Sequence, residues 1–240
     1  MPTPPSTAPP SVERRRFSPR SEQTIEVLVF LFLIVPSMIL SLFAVQQGGL
    51  SFVFVAVSTI FRDLALVSLS VFFLWRNGEP IEHLGWTFRN AGKDVLLGIA
   101  LFIPTFVATI FLEQFLRAIG LSTPTAPLPS YLTAVGPSQF VLAFVLVSIV
   151  AVSEETIFRG YLTLRFKNVM RSTWRAVLLS SVIFSLGHGY EGEAGMVTVG
   201  VMGIIFALVY VWRRSLVAPI TMHFLHDFLG IVLLPLLRVR

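Results

Sequence analysis

Residues 139–164 read QFVLAFVLVSIVAVSEETIFRGYLTL. From Phe140 to Val152 the only polar side chain is Ser148. The run exceeds the roughly 20 apolar residues that carry a helix across ~30 Å of hydrocarbon. It then ends on two glutamates and an arginine before the apolar character has died away. Charges in such a place are costly and mark function or a specific partner. This one segment sets the class of protein and locates the first candidate site.

Working outward, similar runs occur at 25–45, 50–74, 95–119, 176–188, 196–212 and 215–237. The whole chain of 240 residues is 55% hydrophobic and 13% charged. A soluble domain carries about 25% charged residues, so an ordinary cytosolic enzyme, a disordered chain and a collagen-like repeat are excluded. The expectation is an all-α, polytopic transmembrane bundle of seven spans with an intramembrane polar site. The run at 176–188 is the short one. A first run of this length is too long for a cleaved signal peptide and reads as a signal anchor.

Residues 1–24, rich in Pro and Ser with Arg14, Arg15, Arg16 and Arg20, read as a disordered basic tail. The N-terminal helices follow at 25–120, a loop at 121–138 and a core at 139–237. The net charge of +5 comes from bases placed between apolar runs. The tail and the segments 76–93, 165–175 and 213–214 are basic, whereas 46–49, 121–137 and 189–195 contain no Lys or Arg. That alternation orients the helices with a cytoplasmic N-terminus, in a cell (plasma or inner) membrane, with lipid rather than nucleic acid as the basic partner. Seven spans leave Arg238 and Arg240 outside, and an eighth span or a re-entrant segment would remove the conflict. With no cysteine in the chain, disulfides, thiolate metal sites and a cysteine nucleophile are excluded.

Three clusters of polar residues stand inside the apolar runs. Glu155 and Arg159 are four residues apart, acid first, the favourable order for a helical ion pair. Glu154 has Phe158 at its i+4 position and is left to face another helix. His188 closes the fifth run after Phe184. In the last run His223 and Asp227 share a face, while His226 points elsewhere and suits packing. Counting from Arg165, Arg175 and Arg214 at ~1.5 Å per residue, Glu154, His188 and His223 lie roughly 16, 20 and 14 Å deep. They can therefore meet near mid-membrane. Arg62 and Asp63 sit centrally in the second run; adjacent helical residues point apart, so they are expected not to pair directly, and structural glue is favoured over a bond to another helix near the site or a helix break.

Glu154-Glu155-x-x-x-Arg159, Phe184-x-x-x-His188 and His223-x-x-x-Asp227, in this order, resemble the CAAX protease and bacteriocin-processing (CPBP, or Abi) intramembrane endopeptidases. The resemblance covers about residues 139–230. It implies an all-helical membrane protease with Glu154 activating water and His188, His223 and Asp227 completing the site, supported by Glu155, Arg159 and Phe184. The substrate it implies is a membrane-associated protein or peptide, prenylated CAAX proteins being the class that one branch of the family cleaves. Many members carry Asn where this chain has Asp227, and an ionised Asp cannot donate a hydrogen bond.

From the residues alone two mechanisms stay open. The favoured one needs no cofactor: a buried Glu154 takes a proton from water that His188 holds or polarises, and a protonated His223, oriented by Asp227, stabilises the oxyanion. The other places zinc on Glu154, His188 and His223, a carboxylate and two imidazoles with one open position. No H-E-x-x-H helix accompanies them. A membrane scaffold or proton-coupled transporter could use the same groups without cleaving anything, although no repeated halves are visible.

Overall fold

A computed structural model describes residues 20–47, 50–122 and 132–238, which form helices and turns with no strand among them. The seven apolar runs become seven helices: α1 (Arg20–Gln47), α2 (Phe52–Arg76), α3 (Ala91–Ala118), α4 (Pro137–Met170), α5 (Thr173–Leu186), α6 (Gly192–Arg213) and α7 (Val217–Leu237). All but α5 are long and apolar enough to cross a membrane. At 14 residues α5 is about 21 Å long, shorter than the hydrocarbon layer. Phe32, Phe61, Leu96 and Phe111 point outward and exposed, as lipid-facing side chains do.

Helix α1 starts within the expected tail, because Glu26 anchors its entry: the Glu26 carboxylate accepts from Arg76 and Asn77 at the end of α2. Residues 1–19 of that tail, and 123–131 of the expected loop, lie outside the described residues.

Polar contacts sort the helix ends onto two faces. On one face Arg165 of α4 binds Glu79 and Glu26, Arg213 of α6 binds Asp94 of α3, and the backbone N–H of Leu216 donates to Gly85. On the other, Ser122 after α3 exchanges hydrogen bonds with Glu193 and Ala194 at the start of α6. Since α4 ends on the first face and α6 starts on the second, α5 connects them despite its length. The basic segments thus share one end of the bundle.

Helix α4 is irregular where it matters. Residues Glu155–Leu162 are wound as a π-helix, and every one of them is buried. The wider turn shifts each donor one residue further along, and the Phe158 carbonyl accepts from the Thr163 backbone N–H and also from Thr163 Oγ1 at 2.8 Å and Ser180 Oγ at 2.6 Å. Gly160 lets the turn Ile81–Leu84 lie against this stretch: a Cβ there would sit 2.8 Å from the Leu84 carbonyl oxygen. A second π-helical stretch, Phe228–Leu233, begins directly after Asp227 in α7. Such windings occur often at functional sites.

Candidate active site

The π-helical turn brings α4 and α7 together through a carboxylate that serves two donors. Glu155 Oε1 accepts from Arg159 Nη1 at 2.8 Å and from His223 Nδ1 at 2.8 Å. Glu155 is fully buried and Arg159 is 1% exposed. The Arg159 guanidinium is covered by Phe184, 4.2 Å from its ring centre, and by Phe206 at 5.4 Å. An arginine at this depth is tolerable because an anion and two aromatic faces replace its water.

Carboxylate acceptance at Nδ1 fixes the orientation of the His223 ring. Its other nitrogen, Nε2, then points between Glu154 Oε2 at 3.8 Å and Asp227 Oδ2 at 3.5 Å. Glu154 Oε2 is itself buried and makes no hydrogen bond among the described residues. Beside Glu154 lies a pocket of about 20 Å³ lined by Ser37, Met38, Arg62, Asp63, Leu66 and Ile157 among others. That is room for about one water molecule.

His188 stands one aromatic ring away. It follows the end of α5, its Nδ1 lies 3.1 Å from the Phe184 carbonyl, and its ring centre is 4.8 Å from that of Phe184. The same Phe184 ring meets His223 edge-on at 6.0 Å. Glu154, His223 and Asp227 are therefore gathered directly, and His188 adjoins them through Phe184. Among the described residues no group of three or more His, Asp or Glu side chains is placed as metal ligands would be.

Residues 136–229, about two-fifths of the chain, match the family model described as type II CAAX prenyl endopeptidase Rce1-like. This core is Rce1-like. With six long apolar helices among the described residues the chain is an integral membrane protein, and this segment of it is similar to a protease family. No curated protein and no solved structure matches it.

The Rce1-like core contains every polar motif singled out in the last four helices, but two features were not visible from spacing. One is the Glu155–His223 bond, which joins residues 68 positions apart; the i,i+4 pattern gave Glu155 only Arg159. The other corrects the reading of α2. Arg62 and Asp63 do pair, with Nε and Nη2 of Arg62 both 2.9 Å from Asp63 Oδ1. The long arginine stem folds back across the 100° that separates adjacent helical residues, which the rule for facing pairs ignores. Both line the pocket with Glu154. His226 behaves as a packing residue, ringed by Phe102, Phe106 and Phe206 at 4.9, 5.7 and 6.0 Å.

Proposed function

We propose that the chain is an intramembrane endopeptidase that hydrolyses a peptide bond of a membrane-associated protein or peptide, of the prenylated CAAX type, with Glu154 activating the water. The observation that carries this reading is Glu154: its Oε2 is buried without a hydrogen-bond partner among the described residues and lies 3.8 Å from an oriented imidazole, and the residue lines a water-sized space.

In the first step Glu154 accepts a proton as the water oxygen bonds to the scissile carbonyl carbon. In the second the C–N bond breaks and the same proton passes to the leaving amine. Glu155 holds His223 so that Nε2 faces the reacting water, and Asp227 limits the ring from the other side. His188 contacts the substrate beyond Phe184. Glu155 and Arg159 act by positioning rather than by touching substrate.

Cleavage of a membrane peptide by the purified chain, lost in Glu154→Gln while folding and insertion persist, is the expected result. Full activity of Glu154→Gln overturns the assignment, and a wild-type chain that cleaves nothing returns the scaffold or transporter reading. Activity should survive exhaustive chelation; loss on chelation with recovery on adding zinc would replace the metal-free mechanism while leaving the peptidase in place.

The orientation is proposed as N-terminus inside, from the basic segments that share one face. Val135, 70% exposed ahead of α4, lies toward the opposite face. On this cysteine-free background Val135→Cys should label only from outside. Labelling confined to the cytoplasmic side would reverse the topology.

A further inference from the structure

The α2 side of the pocket lies outside the matched segment 136–229, yet it carries a fixed cation beside Glu154. Arg62 is near the middle of α2, roughly 15 Å from its start and 21 Å from its end. A guanidinium at that depth is expensive unless it faces a polar cleft. Asp63, 2% exposed, holds its Nε and Nη2 on one oxygen, Oδ1. Three of the five guanidinium N–H groups are left beyond that grip, and Arg62 lines the pocket together with Glu154.

Peptide hydrolysis puts negative charge on the carbonyl oxygen, and a preorganised donor must receive it. The other polar groups that line the pocket or cluster next to Glu154 are poor donors, and Ser37 gives its hydroxyl proton to the Ile34 carbonyl. Glu154, Asp63 and Asp227 only accept when ionised. Arg159 is sealed under Phe184 and Phe206 and bonded to Glu155. His223 spends Nδ1 on Glu155, and its Nε2 lies between two carboxylates. Arg62 alone among these lines the pocket with a charge that does not titrate.

We propose that Arg62, aimed by Asp63, donates a hydrogen bond to the scissile carbonyl oxygen as it becomes an oxyanion. This deepens the peptidase reading and rests on it. As the water oxygen bonds to carbon, its proton goes to Glu154 and the carbonyl π electrons move onto the oxygen facing Arg62. When the C–N bond breaks those electrons re-form the carbonyl, and the amine leaves with the proton from Glu154. Arg62 is unchanged throughout. Asp63 is a positioning residue.

The test uses the full chain in detergent micelles and a peptide that the wild type cleaves. Arg62→Gln should lower kcat by about 100–1,000-fold, with KM and the thermal midpoint near wild type. Arg62→Lys should recover part of that loss. Asp63→Asn should lower kcat less than Arg62→Gln. Methylguanidine should raise the activity of Arg62→Ala and leave Glu154→Gln inactive, a rescue that a purely structural arginine would not show. An unchanged kcat in Arg62→Gln overturns the proposal, and so does a rise in KM alone, which would mean that Arg62 grips a substrate carboxylate instead. Should Arg62→Gln fail to fold, Arg62→Lys decides: wild-type kcat in a folded Arg62→Lys without methylguanidine rescue of Arg62→Ala overturns it. A wild-type chain that cleaves no peptide removes the peptidase reading and this inference together, whereas a cleaving wild type with indifferent Arg62 variants removes this inference alone.

Discussion

Two buried charge clusters lie along α4, and they differ in balance rather than in residue type. At the basic end Arg165 and Arg76 meet Glu26 and Glu79, two cations for two carboxylates, with Asn77 adding a donor to Glu26. Arg165 also stacks over Tyr161, 5.2 Å from the ring centre. Further along the helix Glu154, Glu155 and Asp227 share Arg159 and the ionisable His223. The first cluster closes on itself and joins α1, α2, the turn Ile81–Leu84 and α4 into one end of the bundle. The second leaves a carboxylate without a cation of its own. Matched burial builds a joint; surplus burial stores a reactive group.

Glu155 belongs to both kinds, so Glu155→Gln breaks the contrast most severely. It leaves Arg159 buried without its anion, a loss of about 3–5 kcal/mol, and it loosens His223. We expect a large fall in the unfolding midpoint in detergent and at least about tenfold lower kcat, the size of one charge-assisted hydrogen bond. Stability equal to wild type would show that the pair is not structural. Arg165→Met should destabilise almost as much, since Glu26 and Glu79 stay buried with fewer partners. Per folded molecule its peptidase activity should be unchanged, and a specific loss of kcat would merge the two clusters into one functional unit.

Asp227→Asn sharpens the reactive side. It keeps the shape and adds a donor near the pocket, so activity should be retained or raised and thermal stability should hold; a fall of about tenfold or more would make the Asp227 charge essential to His223. The smallest change is expected from His226→Phe. Its ring sits among Phe102, Phe106 and Phe206, and a swap of similar volume usually costs under about 1.5 kcal/mol. Cleavage kinetics should match wild type, and a strong kcat defect would bring His226 into the reaction.

The sequence marked its own irregular places unevenly. The seven apolar runs announced the helices because hydrophobic length alone pays for crossing a bilayer, and Glu155–Arg159 announced itself because i,i+4 contacts are local. The π-helical winding of Glu155–Leu162 left no such mark. It depends on Ser180 from α5 and the Leu84 turn pressing on Gly160, contacts that no local pattern encodes.

By itself the sequence determined a helical membrane bundle and the polar motifs that make its core Rce1-like, since both follow from composition and short-range spacing. Only the tertiary structure decided which polar groups meet. Glu155 reaches His223 across two helices, Arg62 folds back onto Asp63, and both lie near Glu154 because helix packing sets distances between residues far apart in the chain. A buried charge is defined by its neighbours, and those neighbours exist only once the helices have packed.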